Sequence, residues 1–157
     1  MKNLKVMIPA ITTAAIGVFA LTPLEGQAVS EAPLFRDYQV VEVQPFEVPP
    51  NVAAPDSAGR AIADETVYQI RRYSVRFNLF ELVIMEGAQQ VPVGKKVLLV
   101  KGTVTAYSPQ GTGACAVHCQ FVDKTSNHVL HETDAKGLTF RVAEYIAKVM
   151  YQNKVGK

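Results

Sequence analysis

The chain has 157 residues, 48% of them hydrophobic and 19% charged, with a formal net charge of +2 and two cysteines. That length suits one domain with its own apolar core, and two cysteines are too few to build a fold from disulfides. The near-balanced charge excludes the strongly basic surface of a nucleic-acid binder, and there is no internal repeat or low-complexity tract.

Lys2 and Lys5 open the chain, Val6 to Leu21 is uncharged and mostly apolar, and Gly26-Gln27-Ala28 puts small residues where a signal peptidase reads. This is the pattern of a secretory signal over residues 1–28, cleaved after Ala28. A retained anchor is the competing reading, but the apolar run is shorter than the ~20 residues of a bilayer span, and Pro9, Thr12 and Thr13 weaken it. Cysteine is absent near the cleavage point, so a bacterial lipid anchor is not expected. The predicted destination is the periplasm or the exterior, with no stable membrane anchor after cleavage.

Residues 29–37 carry no sustained period and read as a flexible lead-in to a single domain over residues 38–157. From Tyr38 to Phe46 the run is rich in β-formers, with Val41 and Val43 on one face and Glu42 and Gln44 on the other. Pro45 donates no ladder hydrogen bond and ends this strand, and Pro49, Pro50 and Pro55 stiffen the loop after it. Asp56 or Ser57 is placed to cap a helix whose apolar stripe (Ala58, Ala61, Ile62, Thr66, Val67, Ile70) runs to about Tyr73. Asn78 to Met85 is a second strand by its length, and Glu86 to Lys96 is a polar loop.

The organising stretch is 97–137. Leu98, Val100, Gly102, Val104 and Ala106 alternate with Val97, Leu99, Lys101, Thr103 and Thr105, the period-two signature of a strand. Residues 108–113 supply turn formers, after which Cys115, Val117, Cys119 and Phe121 share one strand face, with Ala116, His118 and Gln120 opposite. Asp123 to Asn127 turns the chain back into a further strand, with Asn127 where a left-handed residue is tolerated. Past Gly137 the period becomes helical: Val142, Ala143, Ile146, Val149 and Met150 form one stripe, and Thr139 is the expected cap. The terminal residues 153–157 are expected to fray. The predicted fold is α/β (α+β) in the order β-α-β-β-β-β-α, a mixed sheet of about five strands with two helices covering its apolar face. Gly102 marks a place where a helix or a bulge comes close.

Four pieces carry a family resemblance: Val40-Val41-Glu42-Val43, Pro55-Asp56-Ser57-Ala58-Gly59 before a helix, Leu99 to Tyr107 around Gly102, and Phe121-Val122-Asp123 through Val129-Leu130. Together they resemble the bacterial domain-of-unknown-function family DUF forty-four-ten, small envelope proteins that are often lipoproteins, over roughly residues 38–157, most of the chain after the signal segment. The resemblance implies a small α/β envelope domain. Asn127 stands where that family usually has Gly, and the lipobox Cys is missing, which leaves the envelope expectation and removes the tether. On topology alone, the layout is also similar to the α/β domain of curli-secretion-type lipoproteins and penicillin-binding-protein activators.

Chemistry-bearing residues are few. Cys115, His118 and Cys119 would share a face on a helix and form a zinc site, but the strand period turns His118 away from both thiols. Buried, unreactive cysteines are therefore expected, with no metal and no bridge, since four residues of strand separate their Cα atoms by roughly 13 Å. His128-Val129-Leu130-His131-Glu132 lacks the zincin spacing. None of Ser57, Ser74, Ser108 or Ser126 lies in a nucleophile elbow. Glu132 and Asp134 share a strand face as solvated edge charges. The loop after the first strand is Pro-rich with a lone Gly59 and makes no phosphate cradle, so no cofactor is expected. Tyr68, Arg71, Arg72 and Arg76 form a basic-aromatic patch, a composition suited to partner contact. The expectation is a non-enzymatic exported envelope protein, a binding or accessory domain whose partner is an envelope protein or cell-wall component. A periplasmic metal-binding protein and a small cell-envelope hydrolase are the alternatives.

Overall fold

The computed structural model describes residues 32–108 and 113–156. The expected signal segment and residues 109–112 of the expected turn lie outside them. The elements are β1 (Val40–Val43), α1 (Ala58–Phe77), β2 (Leu82–Met85), β3 (Val97–Ser108), β4 (Ala114–Asp123), β5 (Val129–Leu138) and α2 (Thr139–Val155), in the order the periodicities predict.

The strands form one mixed sheet in the spatial order β2-β1-β3-β4-β5. β1 is parallel to both β2 and β3, whereas β3, β4 and β5 form an antiparallel meander. Both helices bury their stripes on one face of this sheet, giving two layers. Val41, Val43, Leu98, Val100, Val104, Val117, Cys119 and Phe121 meet Ile62, Ile70, Val142, Ile146 and Met150 there. Val104, Phe121 and Ile146 are completely buried, as their positions on the three periods predict. Among the described residues, no helix is long and apolar enough to cross a membrane.

The other sheet face is apolar over β1 and polar over β4. Val40 and Leu99 are buried on it, and so is Glu42, whose carboxylate receives the Lys124 ammonium. A buried carboxylate needs such a partner, because an unpaired charge there carries a desolvation cost of several kcal/mol.

Several local expectations are corrected. The lead-in is anchored from Phe35 onward: its ring is fully buried, lies 5.2 Å from that of Phe121, and its N–H donates to Asn153 O at 2.9 Å. α1 continues one turn beyond Tyr73 and stops where Asn78 takes a left-handed conformation and donates its N–H to Ser74 O. Ser57 is its N-cap residue without a side-chain cap bond. Thr139 does not cap α2. It is the first helical residue, after Leu138, and its hydroxyl donates to Gly113 O at 2.8 Å. The end of α2 does not fray before Gly156, because Asn153 and Lys154 are both tied back by hydrogen bonds. At Gly102 the close neighbour is neither a helix nor a bulge but the Phe46 ring, 2.3 Å from where a Cβ would stand. The bulge lies beyond it, between Val104 and Ala106.

Candidate functional site

The basic-aromatic patch occupies the outward face of α1. Tyr68, Arg72, Val75 and Arg76 stand at i, i+4, i+7 and i+8, so they form one stripe along the helix opposite the buried Ile62–Ile70 side. Beside them is a groove of about 690 Å³, with Phe77 at its end and Glu144 of α2 in its wall. Val75 is 88% exposed and Tyr68 56%, so both present apolar surface beside the two arginines.

The four predicted partner residues are brought together, but they have different duties. The Arg71 Nε–H donates to Val83 O at 2.8 Å, so this guanidinium fastens the edge strand β2 to α1. Arg72 lies over the Tyr68 ring at 5.8 Å and donates to Gln69 Oε1 at 3.1 Å. Arg76 lies over the Phe77 ring at 5.0 Å, and Phe77 in turn packs 4.6 Å from Tyr151. Stacking on aromatic faces orients a guanidinium while leaving its edge free for a carboxylate or another planar acceptor. Among the described residues, none of these three arginines has a carboxylate within ion-pair distance. Glu144, the acid in the groove wall, is held by Arg141 at 2.9 Å.

The low-priority metal set is separated by the sheet itself. Cys115 and Cys119 are free thiols buried on the helix side, and burial raises both pKa values. His118 is on the opposite face. Its ring Nδ1–H donates to Asp134 Oδ1 at 2.8 Å, and Nε2 lies 3.7 Å from Glu132. The hydrogen bond to Asp134, with charge from both acids, raises the His118 pKa above its ordinary value. Glu132 also accepts from Gln120 Nε2. The exposed charges Glu132 and Asp134 therefore form a cross-strand group with His118. Periodicity missed it because β5 carries a bulge: Phe121 pairs with His131 but Val122 with Val129. That extra residue moves Asp134, rather than Thr133, opposite His118. His131 stacks on Phe121 at 5.9 Å, away from this group.

A third polar centre lies at the β4–β5 turn. The Tyr38 hydroxyl donates to Asp123 Oδ2 at 2.6 Å, while the amides of Thr125 and Ser126 donate to Oδ1. These donors, Tyr38 first, hold the Asp123 pKa down at about 2, and burial together with Asp123 pushes the Tyr38 phenol well up. Each donor is committed to shaping the turn, in which Asn127 is left-handed as predicted (φ +56°).

No family model matches the chain, and no curated protein does. Among solved structures it is similar to a PelC dodecamer from Paraburkholderia phytofirmans, at 17% identity and a TM-score of 0.47, covering 76% of this chain and 89% of that one. It is similar to a homologue of neuraminyllactose-binding hemagglutinin from Helicobacter pylori at 11% identity and a TM-score of 0.44, covering 74% and 86% of the two chains. TolB from Acinetobacter baumannii aligns at 12% identity and a TM-score of 0.47 over 76% of this chain and 29% of that one.

Proposed function

We propose that this is an exported cell-envelope protein that works by binding rather than by catalysis, docking an envelope protein or cell-wall component on the outward face of α1. The observation that carries the reading is the groove beside α1. Arg72 and Arg76 are oriented there by aromatic rings and lack carboxylate partners among the described residues, while Tyr68 and Val75 stand exposed beside them. Arginine with exposed aromatics is the composition of binding surfaces, where stacked guanidinium groups and rings become anchors once water is excluded. The remaining titratable groups suit architecture. The thiols are buried and held protonated, Asp123 is spent on a turn, and His118 is braced between two acids on an open sheet face. The sequence pattern of residues 1–28 supports export.

The test uses the protein recovered from the envelope, whose intact mass should begin at Val29. Immobilised wild type is compared with Arg72→Glu/Arg76→Glu, a variant that spares the structural Arg71. Any retained component is then purified and its affinity measured directly. The variant should weaken that affinity at least ~10-fold, because two charge reversals meet the same ligand group. Equal affinity for both proteins would remove α1 as the docking face.

A further inference from the structure

We propose that the outer edge of β5 pairs antiparallel with β5 of a second copy of this chain, extending the sheet across a twofold axis. The hydrogen-bond parity follows from the turn. Asp123 N–H donates to His128 O, so the odd-numbered residues of β4 direct their peptide groups toward β5. Their partners His131, Thr133, Ala135 and Gly137 point inward. The peptide groups of Glu132, Asp134 and Lys136 therefore face outward, and no turn or loop backbone bond among the described residues ends on them. β5 is ten residues long and contains no proline. Such an edge is a template for another strand.

Charge then selects the occupant and the register. With the twofold axis at Ala135, Asp134 stands directly opposite Lys136 of the second copy, and the pair occurs twice. Lys136 has no ion-pair partner among the described residues, and Asp134 uses only Oδ1 on His118. Opposite charges in directly facing cross-strand positions favour pairing. Moving the axis to Asp134 would keep two opposite-charge pairs, Glu132 with Lys136, but set two Asp134 carboxylates against each other, so that register is the less favourable of the two. On the helix side the facing residues are small, Ala135 against Ala135 and Thr133 against Gly137, which lets the two edges close. The α2 side chains Phe140 and Tyr145 are 44% and 45% exposed, and Tyr145 is tied to β5 by its contact with Thr133. Pairing of the edges would cover these rings, adding apolar burial to the backbone bonds.

The experiment is sedimentation velocity on the protein expressed as its full chain, at concentrations up to about 100 µM, a range that detects even weak association. Wild type should approach a dimer. Asp134→Lys and Lys136→Asp should each weaken self-association at least ~10-fold, because each places like charges opposite one another twice. Mixing the two variants brings the new lysine of one against the new aspartate of the other, and a dimer should return. Circular dichroism of each variant separates loss of pairing from loss of fold. A wild type that stays monomeric, single variants that dimerise as well as wild type, or folded variants that fail to associate when mixed would each overturn the proposal.

Discussion

At one side of the sheet β2 is four residues long, and its outward Val83 and Met85 carbonyls are already taken, by Arg71 and by the Ala88 amide. At the other side β5 is ten residues long, and its outward peptide groups have only alternating charges beside them. The difference follows from how each half of the sheet is made. β1, β2 and β3 are parallel, so long connections join them, and a helix side chain is at hand to plug the edge. β3, β4 and β5 are a meander of local turns, and among the described residues no side chain hydrogen-bonds to the outward peptide groups of Glu132, Asp134 and Lys136 in the last strand. Charge alone then governs what may approach it, and charge selects partners as well as repelling them.

The largest effect bears on whether the two halves are one structure. Phe121 belongs to the meander but packs on Phe35, which is held to the end of α2. Phe121→Ala should cost about 3–5 kcal/mol through the cavity it leaves. The loss should appear as a single urea transition shifted whole; two separated transitions would break the comparison into independent halves.

A smaller effect tests the plug. Arg71→Met keeps the stem but frees the Val83 carbonyl, and should lower stability by about 1 kcal/mol, the net worth of one such hydrogen bond. Amide exchange should quicken in β2 while β5 is unaffected. An unchanged urea midpoint would mean that shortness alone protects this edge.

The smallest effect concerns His118, which braces β4 to β5. Its folded pKa is raised, so its contribution is fully present below the unfolded value of about 6.5 and is lost as pH rises through the folded value. The side chain is 36% exposed, so solvent screening keeps the effect to a few tenths of a kcal/mol. Wild type should exceed His118→Gln in stability at about pH 6 and match it at about pH 8.5; a constant gap would assign the role to shape rather than charge.

What was legible in the sequence follows the same division. β3, β4 and α2 announce themselves by period, and the predicted core residues Val104, Phe121 and Ile146 meet as expected. Phe35 belongs to no periodic run, so its burial was invisible until the partner ring was placed. The last turn of α1 forms because Phe77, four residues after Tyr73 and seven after Ile70, continues the apolar stripe and packs on Tyr73 and Tyr151, a continuation that Arg71, Arg72 and Arg76 between them mask in the sequence. The patch residues were identifiable by type, since Arg beside aromatics is a compositional signal, but the assignment of Arg71 to Val83 required the strand beside it. His118 and Asp134 were separated by one residue of register, the bulge that no alternation pattern records.

Phe46 carries a consequence for how variation in this protein would be read. Its ring fills the space where a side chain at position 102 would stand, and its carbonyl oxygen lies 1.8 Å from where a Cβ at position 59 would stand. Its N–H also donates to Gly59 O at 3.0 Å. Positions 46 and 102 thus constrain each other through side-chain volume, whereas position 59 is held to Gly by the backbone of residue 46 whatever its side chain. Aligned relatives should show 46 and 102 changing together or not at all and 59 staying Gly throughout, with free drift at the exposed Pro50 and Asn51. So tight an invariance, far from the arginines of α1, would mimic the signature of a catalytic triad while recording only the seat of one aromatic ring and of the carbonyl beside it.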